Sequence, residues 1–279
     1  MPNHRVLGLA SSVLVLLMAV AAPAGATWSI VAVDSQTREV GVAGASCTGG
    51  VEVIAGIAPG RGVVAAQAMS NLEGRARAVE LLEKGRRPAE ILEEIASEAW
   101  DPRPWHRLGG RGLRQYAVAS LEGPSQATFS GDRTSAWSGA LEAAGVAVAG
   151  NMLVGAEVVE RALAGFQSAP AGCTPGLADR LVAALWAGSV AGGDNRCVPE
   201  LSALSAFVAV AKPDDNPEAP SLLLVVPYHG PNELFFIPLR SFVQKRGSAE
   251  QNPVRILVAR YRELRGGDAC LPEDMANLP

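Results

Sequence analysis

Thr27 opens the apolar run Thr27-Trp28-Ser29-Ile30-Val31-Ala32-Val33, directly behind Ala24-Gly25-Ala26. A threonine at a chain terminus holds a nucleophile and a base in one residue. Its hydroxyl attacks a carbonyl while its neutral α-amine takes the proton, directly or through a water. That amine titrates near pH 7.7–8, against about 10.4 for lysine, so a useful fraction is neutral near pH 7.5. The residues in front of Thr27 supply a way to make such a terminus. His4 and Arg5, an apolar run from Val6 to about Val20, and then small residues read as a secretion signal. The run is also long enough for a short membrane anchor, and Pro23 with the Ala-x-Ala sites favours cleavage. A cut after Ala26 makes Thr27 terminal, whereas a cut after Ala24 does not. The expected organisation is a signal peptide over 1–26 and one domain over 27–279, secreted or periplasmic. The expected chemistry is cleavage of an amide or related bond by Thr27.

Other chemistries lack their residues. There is no His-Glu-x-x-His, no Gly-x-x-x-x-Gly-Lys and no Gly-x-Ser-x-Gly, and Trp137-Ser138-Gly139 misses the first glycine of that last pattern. Gly109-Gly110-Arg111-Gly112 has no strand-then-helix setting for a dinucleotide. The three histidines, His4, His106 and His229, are isolated, and no Cys-x-x-Cys occurs, so no metal or other cofactor is expected. The formal charge is −4 with scattered basic residues, which argues against a nucleic-acid partner. No later apolar stretch approaches the roughly 20 residues of a spanning helix, so no stable membrane insertion is expected once the signal is removed.

Four cysteines in an exported chain point to disulfides, with three connectivities open. Cys173 and Cys197 flank one helical segment in Gly- and Pro-rich loops and are the favoured pair, with Cys47–Cys270 left by elimination.

The elements that must position Thr27 follow from periodicity. Strand patterns cover Trp28–Val33, Glu39–Ser46, Val51–Ala58 and Val63–Met69, read as one antiparallel set. Helices follow over Glu73–Lys84 and from Pro88, then a hairpin of Leu113–Leu121 and Gln126–Ser130. A strand Gly145–Gly150 precedes helices Leu153–Gln167 and Leu177–Ala187. Strands Ala206–Lys212 and Ser221–Tyr228 lead to a closing helix near Pro253–Leu264. Adjacent strand runs joined by turns indicate antiparallel sheets, and strands apolar on both faces indicate two sheets face to face with helices outside. The expected fold is α+β, a four-layer αββα sandwich of two antiparallel sheets.

Thr27-Trp28-Ser29-Ile30-Val31-Ala32-Val33-Asp34 with Gly41-Val42-Ala43 resembles the opening of the Ntn-hydrolase-like family known as domain of unknown function 1028. Further matches run in order: Ala66-Gln67-Ala68 with Asn71, Gly150-Asn151, and Ala191-Gly192-Gly193-Asp194-Asn195-Arg196 before Leu204-Ser205-Ala206. The resemblance covers roughly Thr27 to Val210. It implies the αββα fold and hydrolase activity, and no particular substrate.

Around Thr27, Asn151 is the candidate oxyanion donor, with a helix N-cap as the competing role. Ser46 is a candidate contact to the Thr27 amine, and Gln67 and Asn71 are candidate cleft residues. Asp194 and Arg196 either orient a substrate or pair within their own loop. The expected partner is a small-molecule or peptide-like substrate. The alternative is a non-catalytic protein of the same fold that binds a ligand or an envelope component. Self-association through the helix faces, as a homo-oligomer, is a third reading.

Overall fold

A computed structural model describes residues 27–101, 110–123, 125–197, 200–228 and 251–276. The described residues form ten strands and five main helices, and all but one strand follow the expected order. They are β1 (Thr27–Val33), β2 (Val40–Ser46), β3 (Ala55–Ala58), β4 (Gly62–Ala68), α1 (Leu72–Glu83), α2 (Pro88–Ile95), β5 (Arg114–Ser120) and β6 (Gln126–Ser130). Then come β7 (Gly139–Ala143), β8 (Val146–Asn151), α3 (Glu157–Gln167), α4 (Leu177–Val190), β9 (Ser205–Ala211), β10 (Leu222–Val226) and α5 (Pro253–Arg265). One sheet has the order β10-β9-β2-β1-β8-β7 and the other β3-β4-β5-β6, with every pairing antiparallel.

Side-chain alternation sorts the strands into layers. Trp28, Ile30 and Ala32 of β1 and Ala43 and Ala45 of β2 pack against α3, α4 and α5. Val31, Val33, Val40 and Val42 face Val63, Ala65, Ala117 and Ala119 of the second sheet. Val64, Ala66, Tyr116 and Val118 pack on α1 and α2. The α+β sandwich of two antiparallel sheets between helix layers is therefore as expected, because strands covered on both faces must be apolar on both. Trp28 is fully buried, and Gly188 and Gly193 admit it. A Cβ on either would come within 2.7 Å and 2.8 Å of its indole, and Gly193 also has a φ of +64°.

Several local readings change. The first four strands do not form one set: β1 and β2 lie in the larger sheet, β3 and β4 in the smaller. The segment expected as strand from Val51 instead makes a one-turn 3-10 helix, Val51–Ile54, behind Gly50 at φ +70°, and this turn carries the chain between sheets. α3 starts at Glu157 rather than Leu153, because Leu153 bridges Asp194. β7 was not anticipated; it is a half-exposed edge strand whose Gly-Ala-Leu-Glu-Ala sequence shows no alternation.

The favoured pairing of Cys173 with Cys197 is incorrect, and so is Cys47 with Cys270. The disulfides are Cys47–Cys197 and Cys173–Cys270, with Cα separations of 5.7 Å and 5.8 Å. The reason is tertiary. The Gly192–Cys197 loop folds onto the end of β2, where Asp194 accepts from the Cys47 amide at 2.6 Å. At the other end of α4, the buried Asp179 accepts from the Cys270 amide at 3.1 Å and from the Tyr261 hydroxyl at 2.8 Å. Flanking one helix did not bring Cys173 and Cys197 together, because α4 is 14 residues long and separates its two loops. The expected signal segment and cleavage site, most of the linker after Asp101, and all three histidines lie outside the described residues.

Candidate functional site

The inter-sheet layer changes character along its length. At one end it is filled by valines and alanines; at the other, both sheets present polar side chains in register. Across the larger sheet the row is Ser205, Ser46, Thr27 and Asn151, each paired with the next. Across the smaller sheet, Gln67 pairs with Gln115 and Gln115 with Ser130. All but Ser130 are buried to within a few per cent. The two rows bond to each other across the layer. Gln67 Nε2 lies 3.5 Å from the Thr27 carbonyl and donates to Gln115 Oε1 at 2.7 Å. Asn151 Nδ2 donates to the same oxygen at 3.1 Å. Gln115 Nε2 in turn donates to the Gly150 carbonyl at 2.9 Å and to Ser130 Oγ at 2.8 Å.

The chain turns sharply as it leaves this end. Ala68, just after Gln67, has φ +66°, and Met152, just after Asn151, has φ +52°. Left-handed backbone at a residue with a Cβ costs on the order of 1 kcal/mol or more, so neighbouring bonds must hold it. Those bonds are the Met152 amide to Ser135, the Asn195 amide to the Met152 carbonyl and the Met69 amide to Leu113, at 3.0–3.1 Å. Both turns thus tie the strand ends to neighbouring segments.

The Gly192–Cys197 loop closes the larger sheet's side. The Asp194 side chain is fully buried and accepts from the Cys47 and Arg196 amides and twice from the Arg196 guanidinium, at 3.1 Å and 2.7 Å. Arg196 reaches Ser46 Oγ at 3.4 Å, and Ser46 Oγ lies 3.0 Å from Thr48 Oγ1. A buried carboxylate is thus linked through a guanidinium to the hydroxyl beside Thr27. Such a fork holds the cation in one orientation, and removing either partner alone would strand a charge.

Of the residues singled out from the sequence, Thr27, Ser46, Gln67, Asn151, Asp194 and Arg196 come together here. Asn151 is the last residue of β8 and pairs with Thr27; the N-cap of α3 is Ala156. Asp194 and Arg196 do pair within their own loop, and the pair touches the row. Asn71 is engaged elsewhere: it caps α1, its Oδ1 accepting from the Gly74 amide at 3.0 Å. Sequence reading missed Gln115, Ser130 and Ser205, and also Ser29, whose buried hydroxyl has no described partner. Their signal was present as polar residues at the inward parity of apolar strands. Among the described residues there is no group of three His, Cys, Asp or Glu side chains able to hold a metal. What the site offers is neutral amides and hydroxyls, backed by one buried ion pair.

A model of a family of unknown function, DUF1028, matches residues 27–231, beginning at Thr27. The chain belongs to the DUF1028 family. Both polar rows and the Gly192–Cys197 loop lie inside the DUF1028 match, whereas α5 and Cys270 lie beyond it. A crystal structure of protein SPO2555 from Silicibacter pomeroyi, described by the same DUF1028 family, is similar. It is 24% identical with a TM-score of 0.63, over 88% of each chain, which shows a common fold. No curated protein matches the chain.

Proposed function

We propose that this member of DUF1028 is an exported N-terminal-nucleophile hydrolase with an Ntn-type fold, whose mature chain is 27–279. Removal of residues 1–26 frees the Thr27 amine. The amine takes the proton from Thr27 Oγ as that oxygen attacks the carbonyl of an amide or related bond. The amine then returns the proton to the leaving group, and a water releases the acyl group from Oγ. Asn151 donates to the developing oxyanion through the amide hydrogen not given to Gln115. Ser46, held by Arg196 and Asp194, steadies the amine, and Gln67 faces the substrate. The substrate is a small molecule or peptide-like.

One observation carries this reading: Thr27 is the buried middle of a cross-strand polar row, with Ser46 on one side and Asn151 on the other. The two disulfides support export, since such bonds persist in oxidising compartments.

Intact-mass measurement of the exported protein, followed by an electrophile that reports on nucleophilic threonine, tests the proposal. The expected result is a chain beginning at Thr27 that labels once, and a Thr27→Ala variant that does not label. A mature chain starting at Gly25, or equal labelling of both proteins, would overturn it and leave the non-catalytic binding reading.

A further inference from the structure

Gln115 is fully buried and bridges the two sheets through Gln67, Asn151 and the Gly150 carbonyl. Its orientation is not free. Its Nε2 faces the Gly150 carbonyl at 2.9 Å and the Gly139 carbonyl at 3.3 Å, and main-chain carbonyls only accept. Its Oε1 must therefore face Gln67 and Asn151. That oxygen also only accepts, so Gln67 and Asn151 must each turn an NH2 group toward it. Two backbone carbonyls thus dictate the direction of every amide bond at this end of the sandwich.

The arrangement has a consequence for Gln67. With its nitrogen committed to Gln115, its Oε1 is buried and has no partner among the described residues. A buried acceptor without a donor costs on the order of 1–3 kcal/mol, and such a group marks a place where a donor is expected.

We propose that Gln115 is a positioning residue that sets both amides around Thr27 and reserves Gln67 Oε1 as the acceptor for an N–H or O–H donor. The donor is an amide, amine or hydroxyl, not a carboxylate, because a carboxylate would meet oxygen with oxygen. The consequence for catalysis rests on the hydrolase reading above; the polarity of the network does not.

The test uses the mature protein and three readouts. In 15N-labelled protein, the side-chain NH2 groups of Gln67 and Asn151, assigned by their loss in Gln67→Met and Asn151→Leu, should exchange slowly. Gln115→Met should speed both by about 2- to 10-fold, as loss of one hydrogen bond allows. Gln115→Glu supplies a conservative variant with a pH readout. Protonated, its carboxyl donates one hydrogen toward Gly150 and keeps a carbonyl oxygen for Gln67 and Asn151. Ionised, it sets oxygen against the Gly150 carbonyl. Its thermal midpoint should therefore approach that of the wild type as pH falls, while the deficit of Gln115→Met stays constant. Labelling of Thr27 should slow by up to about 10-fold in Gln115→Met, the effect of losing one orienting hydrogen bond.

Unchanged exchange at Gln67 and Asn151 in Gln115→Met would overturn the proposal, as would Glu and Met variants with the same flat pH response. A wild-type protein whose Thr27 never labels defeats the hydrolase reading instead, and the exchange experiment then still decides the role of Gln115.

Discussion

The same strands build two opposite ends of one layer. At one end Val31, Val33, Val40 and Val42 meet Val63 and Ala119, with Ala209 and Ala211 of β9 beside them. At the other end the same strands carry Thr27, Ser46, Ser205, Gln67 and Gln115, equally buried. Backbone pairing and burial do not distinguish the ends; side-chain chemistry does. The apolar end is held by area removed from water and by close packing, which tolerate small volume-conserving changes. The polar end depends on direction, since each amide must meet its complement and an unmatched atom costs more than a matched one adds. Stability is thus concentrated at one end, and sensitivity to the identity of single atoms at the other.

The largest effect should come from the first bulky apolar side chain inward of the polar row, level with Gly44 and Ser29. Phe207 is fully buried and so close to Gly44 that a Cβ there would approach its ring to 2.9 Å. Phe207→Ala should cost about 3–5 kcal/mol in denaturant unfolding and leave Thr27 labelling, measured under folded conditions, near the wild-type rate. A labelling defect as deep as the stability loss would mean that the two ends are coupled and the contrast is false.

Next come the disulfides, one on each side of the contrast. Replacing both cysteines of either pair by alanine should cost about 2–5 kcal/mol. Only removal of Cys47–Cys197 should also slow electrophile labelling of Thr27, because that bond ties the Asp194–Arg196 loop to the residue after Ser46. Cys173–Cys270 lies by Asp179 at the far end of α4 and should change the unfolding midpoint alone. Equal loss of labelling in the two variants would blur the distinction.

A smaller effect concerns the helix side of the second sheet. Burial pushes the Tyr116 hydroxyl up to about 12. In the unfolded chain it titrates near 10, so stability is fully present below about pH 10 and falls as pH rises toward 12. The loss amounts to about 3 kcal/mol for this group once pH passes about 12, and Tyr116→Phe should remove that part of the slope. Tyr261 is shifted in the same direction, by burial first and then by its bond to Asp179, so it adds to the alkaline loss. Unfolding midpoints at pH 8 and pH 11 for wild type and Tyr116→Phe measure it.

The smallest effect is expected at the boundary between the ends. Ser29 Oγ is buried without a described partner, one inward position from Thr27. Ser29→Ala should be neutral or stabilising by up to about 1 kcal/mol, since it removes an unpaired group. A cost above about 1 kcal/mol would extend the polar end inward by one residue.

Much of this was legible in the chain. The run from Thr27 to Val33 marks β1 as covered on both faces, and Pro59-Gly60-Arg61-Gly62 marks the β3–β4 turn, where Gly60 adopts φ +64°. Parity alone puts Thr27, Ser46 and Asn151 on one face once their strands pair. Less was legible where the answer depends on partners distant in sequence. Gln115 sits in a strand that reads as an ordinary apolar run, and its meaning comes from Gly150 and Asn151, about 35 residues on. Asn71 matched the same pattern as Gln67, yet it lies three residues before Gly74 and serves the helix end.

By itself, the sequence determined the alternation of every strand but β7, the order of the other strands and the helices, and the hydroxyl residue behind Ala26. Those are local properties, carried by period-two burial and by turn residues. Only the tertiary structure decided which sheet each strand joins, which cysteines meet, and which polar side chains face each other at Thr27. The physical reason is that alternation specifies a face but not a neighbour. The neighbour is set by how β1 and β2 part from β3 and β4 across the Val51–Ile54 turn.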